Sequence, residues 1–134
     1  MSLEDPVTEL SPDECWEMLR SEQFGRLAFR LVDELHITPV NYAVAGETLL
    51  VRTAEGSKLL GAVLGAPVAF EVDRLDEVSA RSVVVRGRPR VLPENEARRT
   101  EDLPLRSWVP SAKYNVVEIV PIAVTGRAFE LSRP

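Results

Sequence analysis

The stretch GRLAFRLVDELHITPVNYAVAGETLLVRT, residues 25–53, decides the fold. Leu27, Phe29 and Leu31 alternate with Arg26, Ala28 and Arg30, the period-two pattern of a half-buried strand. Val32-Asp33-Glu34 reads as a turn. LHITPVNYAV then reads as a second strand interrupted by Pro39, because proline has no N–H to give a ladder and marks an edge or a bulge. Ala45-Gly46-Glu47 makes another turn, and ETLLVRT is a third strand. Three strands joined by short turns form an antiparallel meander.

On the N-terminal side, Ser11-Pro12-Asp13-Glu14 is a helix start. Ser11 caps, Pro12 suits the first helical position and Glu14 closes a capping box. Cys15, Trp16, Met18 and Leu19 give this helix an apolar face, and Gly25 ends the segment. On the C-terminal side, SKLLGAVL (57–64) is predicted helical and PVAFEVD (67–73) a strand. SARSVVVRGRPRVL (79–92) is a longer strand, with a bulge suggested by Gly87 and Pro89. PENEARRTEDL (93–103) is a polar helix, and YNVVEIVPIAV and TGRAFEL are two strands with Thr125-Gly126 near the turn. About seven strands and three short helices result, mostly strand after strand. This fits a mainly β, antiparallel closed barrel with short helices better than a doubly wound sheet. A single domain over 1–134 is expected, with residues 1–10 an N-terminal extension.

Composition narrows the function. The chain carries 16 Lys+Arg against 21 Asp+Glu, a net charge of −5. That argues against nucleic acid as a partner, since such binders present a basic footprint. No apolar run approaches the ~20 residues of a membrane span. The acidic start MSLEDPVTEL lacks the pattern of a secretory signal, and the lone cysteine, Cys15, cannot form an internal disulfide, so a cytoplasmic setting is expected. One histidine and one cysteine leave no His₃ or Cys₄ metal site within the chain, and no metal is expected.

Four constellations carry the remaining chemistry. Lys58 is one of only two lysines, with Lys113, and it sits in VRTAEGSKLL (51–60). The spacing is not that of a Walker loop. Arg52 at a strand end, Thr53, a close-approach Gly56, Ser57 as cap and Lys58 in the first helical turn nonetheless supply the parts of a phosphate grip. A capped helix with exposed cations explains the same residues equally well. In TPVNY (38–42), the proline-broken strand leaves backbone groups able to bond the edge of a flat heterocycle, with Asn41 adding an amide. A bulge needed to curl the barrel, with Asn41 bonded to local backbone, is the simpler reading of those residues alone. Arg86, Arg88 and Arg90 project from one strand face, most simply a solvated row. His36 and Cys15 read as structural, and Trp108, in a proline-bounded loop, as a lid, an interface anchor or core.

The ordered series SPDECWEMLRSEQFGRLAF, PVNY, VRTAEGSKL, PVAFEVD and SVVVRGRPRV resembles the pyridoxamine 5′-phosphate oxidase-like, flavin-binding split-barrel family, in particular its small actinobacterial-type members. The resemblance runs from Leu10 to Leu131. It implies a split β-barrel homodimer with flavin mononucleotide (FMN) between the subunits. Arg52, Thr53, Ser57 and Lys58 would hold the FMN phosphate; Pro39, Val40, Asn41 and Tyr42 would line the isoalloxazine ring. Ser82 would approach the ring or ribityl chain from the other subunit, and Trp108 would close the site. It implies a flavin-dependent oxidoreductase acting on a small molecule, with no catalytic side chain singled out. A reductase using a deazaflavin coenzyme, or a flavin store or sensor without turnover, are the alternatives. Two departures stand out: Arg81 replaces a common aromatic before Ser82, and an arginine-rich C-terminal substrate signature is missing, which argues against a vitamin B6 substrate.

Overall fold

The computed structural model describes residues 6–54, 66–105 and 114–131. Seven strands appear in these: β1 (Val7–Glu9), β2 (Phe24–Leu31), β3 (Glu34–Ala45), β4 (Thr48–Ala54), β5 (Val68–Leu75), β6 (Ser79–Val91) and β7 (Tyr114–Glu130). The helices are α1 (Pro12–Ser21) and the single-turn α2 (Glu94–Ala97), which runs into a 3₁₀ turn at Arg98–Thr100. All pairings are antiparallel, in the order β1-β7-β4-β3-β2-β5-β6, and β6 pairs back onto β7. That return closes the sheet into the split β-barrel.

The expected start of α1 is present in full: Glu14 N donates to Ser11 Oγ (3.2 Å) and Ser11 N to Glu14 Oε1 (2.9 Å). Its Cys15, Met18 and Leu19 join Leu27, Tyr42, Phe70, Val83, Val85 and Ile119 in the barrel core. A smaller cluster of Ala43, Leu50, Leu92, Leu105 and Val116 lies outside the sheet, beneath the segment that follows β6.

Three expectations change. The two C-terminal strands are one 17-residue strand, β7, with Thr125-Gly126 inside it. Gly126 is needed for packing, not turning: a Cβ there would lie 2.7 Å from Cys15 Sγ and 2.9 Å from Leu10 Cδ1. Val7–Glu9 of the N-terminal extension pair with β7 as β1. The polar helix after β6 shortens to four residues before tightening into the 3₁₀ turn. The bulge expected near Gly87 occurs, as a register shift between Arg86 and Gly87. The 57–64 helix lies outside the described residues.

Candidate functional site

Strand β3 is a single strand with two different partners. Glu34–Asn41 pair with β2, and Tyr42–Ala45 pair with β4. The switch falls between Asn41 and Tyr42, so among the described residues Glu34–Asn41 have a strand neighbour on one side only. Pro39 sits in that half, where a missing N–H is tolerated. One carbonyl fastens the switch: Gln23 O accepts from Tyr42 N (3.0 Å) and from Asn41 Nδ2 (2.9 Å). The Asn41 amide therefore satisfies local backbone, the simpler of the two roles expected for it.

Alternation sends neighbours to opposite faces. Val40 and Tyr42 point into the core. The Tyr42 ring meets Phe70 edge-on, with centroids 4.7 Å apart, and its hydroxyl donates to Leu19 O at 2.6 Å. Burial pushes its phenol pKa far up, with Glu22 adding to the rise. The side chains of Val40 and Tyr42 thus build the barrel; only their backbone is left to face a ligand. This corrects the expectation that their side chains line a ring.

Pro39 and Asn41 lie on the outer face. There Phe24, Arg26, Ile37, Thr38 and Pro39 line a groove of about 360 Å³. Phe24 is 49% exposed and Ile37 68%, unusual for large apolar groups on a sheet. Sequence reasoning missed both, although Phe24 and Ile37 occupy outward positions of the two alternating strands. Gly25 at the groove's base permits close packing, since a Cβ would sit 2.4 Å from Phe70 Cζ and 2.5 Å from Glu71 O.

Because Tyr42 faces Val51, Arg52 is the next outward residue on β4, beside Asn41. Its guanidinium donates to Leu105 O at 3.1 Å, which ties it to the outer cluster. Thr53 is buried. Ser57, Lys58 and Trp108 lie outside the described residues. Ser82 is on the outer face too, but distant: the register runs Pro39–Arg26–Glu71–Val84 across four strands, a span of roughly 14 Å. Between them Arg26 pairs with Glu71 (2.7 Å) and Asp73, and these carboxylates raise its already high pKa.

The arginine row divides. Arg90 is held by Glu118 (2.8 Å) and Glu96 (3.2 Å), whereas Arg86 and Arg88 have no partner among the described residues. His36 stacks on Phe29 with centroids 5.2 Å apart; its Nε2 is 3.5 Å from Glu34 Oε1, too long for a hydrogen bond. Cys15 is buried, and desolvation raises its thiol pKa, the opposite of an activated nucleophile. Among the described residues no group of three or more side chains could hold a metal ion, and no helix is long and apolar enough to cross a membrane.

The closed, antiparallel six-strand barrel is a split β-barrel. Residues 11–128 match the family model for pyridoxamine 5′-phosphate oxidase, and the chain belongs to that family. It is similar to the solved structure of a candidate pyridoxamine 5′-phosphate oxidase from Corynebacterium glutamicum, at 37% identity over 97% of this chain and 98% of that one, with a TM-score of 0.83. The FAD binding protein from Mycobacterium smegmatis is 36% identical over 92% of this chain and 98% of its own, with a TM-score of 0.80. An uncharacterised protein of Mycobacterium tuberculosis shares 35% identity over 90% of this chain and 84% of its own length.

Proposed function

We propose that the chain binds a flavin, FMN in the first instance, and serves as a flavin-dependent oxidoreductase for a small organic molecule. The observation that carries this is the partner switch in β3. It leaves a strand edge open beside an apolar groove, with a strand-end arginine on the next strand. The FAD-binding M. smegmatis neighbour supports the cofactor class.

The parts fit a flavin. Phe24, Ile37 and Pro39 offer an apolar bed for a flat ring and exclude water from one face. The backbone of Pro39–Asn41 offers the free edge a heterocycle needs for hydrogen bonds. Arg52, with Ser57 and Lys58, would take the phosphate. When bound, the flavin supplies the electron transfer, and the protein supplies orientation and electrostatics. Ser82 of the same chain stands across the Arg26–Glu71–Asp73 cluster from Pro39, so its expected contact with the ring would come from a second copy. The exposed Phe24, Ile37 and Leu35 suit such a homodimer.

The visible absorption spectrum of the purified protein tests the reading. Flavin bands, or their uptake from added FMN, are expected; a protein that stays colourless with either FMN or FAD present defeats it. Arg52→Ala and Lys58→Ala should each weaken FMN binding by about tenfold or more, the worth of a charge-assisted hydrogen bond.

A further inference from the structure

The outer face of β6 and β7 holds a second groove that the flavin reading does not use beyond Ser82. Its volume is about 370 Å³, and Ser82, Val84, Arg86, Thr125, Arg127 and Phe129 line it. The register sets Ser82 opposite Arg127 and Val84 opposite Thr125, with Arg86 one row further along. Arg86 thus stands at one end of the groove and Arg127 between Thr125 and Phe129 within it. Ser82 and Arg86, four residues apart, are separated by about 13 Å along the strand, and two arginine side chains leaning toward each other can meet over the Val84–Thr125 row.

Two features mark these arginines. The chain has 21 acidic residues to 16 basic ones, and Arg26, Arg74, Arg90 and Arg98 each pair with a carboxylate. The guanidinium groups of Arg86 and Arg127 have neither an ion pair nor a hydrogen bond among the described residues. Arg30 and Arg88, on the same outer face, also have no ion pair among the described residues. The nearest carboxylates on β5, Glu71 and Asp73, are already engaged by Arg26; Glu9, opposite Arg127 on β1, is the one carboxylate directly across from it and forms no ion pair with it. Two cations without an ion pair among the described residues, beside hydroxyls, are the arrangement that an incoming oxyanion completes: two guanidinium forks, two hydroxyl donors and an apolar footing from Val84 and Phe129.

We propose that this groove is an oxyanion subsite for a phosphate or carboxylate carried on a small organic molecule. The group arrives either as a second acidic group of a longer-tailed cofactor or as the acid group of a substrate.

The test uses inorganic pyrophosphate as probe, titrated calorimetrically into the full-length protein at constant ionic strength. Saturable binding is expected for the wild type. Arg86→Gln and Arg127→Gln should each weaken it about tenfold, the lower end of a charge-assisted contact, and Arg98→Gln, an arginine already paired with Glu94, should leave it unchanged. Equal affinity in all four proteins, or no saturation in the wild type, overturns the proposal. A second arm identifies the source. If the anion belongs to the cofactor, FAD binds more tightly than FMN and Arg86→Gln abolishes that preference. If it belongs to a substrate, the two flavins bind alike and pyrophosphate binds the flavin-loaded protein. A protein that takes up no flavin but still binds pyrophosphate through these arginines would sink the flavin reading and leave this one standing.

Discussion

Leu27 and Phe70 face each other across β2 and β5 inside the barrel; one residue away, Arg26 and Glu71 face each other outside it. The inner pair is sealed, with Phe70 fully buried. The outer pair leaves more than two-fifths of each side chain in solvent. The same two strands therefore carry stability on one face and chemistry on the other. The inner face has its partners fixed: Tyr42 on Leu19 O, Phe70 on Tyr42, Gly126 on Cys15. The outer face keeps grooves, exposed apolar groups and unpaired arginines, which is where a ligand can still gain free energy.

The sharpest break of this contrast is Phe70→Ala. The ring fills the centre of the core and seats on Gly25, so its loss should cost about 3–5 kcal/mol, a large share of a typical domain's stability. Chemical denaturation measures it, and a cost below ~1 kcal/mol would mean the core is not packed as described.

Tyr42→Phe comes next. It keeps the ring and removes only the hydroxyl that satisfies Leu19 O, one of the carbonyls in the last turn of α1 that has no partner within the helix. A buried carbonyl left unpaired costs about 1–3 kcal/mol. The same residue sets an alkaline limb. Its folded pKa is raised above the ordinary value of 10.0, so the unfolded chain loses the proton first. Stability is intact below that value and falls as pH rises past it. Stability measured between pH 8 and 11 should decline more steeply for the wild type than for Tyr42→Phe.

Arg26→Gln, one residue from the core, should change stability by less than about 1 kcal/mol, because its ion pairs are exposed and screened. A loss matching that of Phe70→Ala would show that the outer face is covered by something as apolar as the core.

The same contrast explains what could be read from the chain. Alternation in GRLAFRL, the capping box at Ser11 and the edge position of Pro39 are local, and each reappears in the fold, although β3 runs unbroken through Pro39. What failed was non-local. Thr125-Gly126 looks like a turn until α1 is placed, because only Cys15 and Leu10 explain why a side chain cannot stand at 126. Tyr42 belonged by motif to a ligand surface, yet the strand's parity, fixed by register with β2 and β4, turns its ring inward. Asn41, one residue earlier, faces out by the same rule. Phe24 and Ile37 went unnoticed because single exposed apolar residues carry no signal until pairing brings them to one groove. Arg86 and Arg90 are alike in sequence, and only the approach of Glu118 and Glu96 separates them.

A further modest effect lies at the mouth of α1. Ser11 N and Ser11 Oγ both bond Glu14, and the backbone contact, the stronger of the two, lowers the Glu14 pKa below its usual 4.5. In the unfolded chain the carboxyl takes up a proton at higher pH than in the folded one. The contribution is therefore present above the unfolded value and lost as pH falls through the folded one. Glu14 is fully exposed, so added salt should shrink the acid-side slope. Glu14→Gln removes the titrating carboxylate and should flatten the slope of stability between pH 5 and 3, whereas Ser11→Ala keeps the backbone donor to Glu14, should cost about 1 kcal/mol at neutral pH through the lost cap and should leave most of that slope. The slope of Glu14→Gln compared with wild type across that window isolates the capping box from every other carboxylate. Equal slopes would place the acid sensitivity elsewhere, with Asp76 the first candidate, since backbone Val78 and Ser79 hold its carboxyl low in the same way.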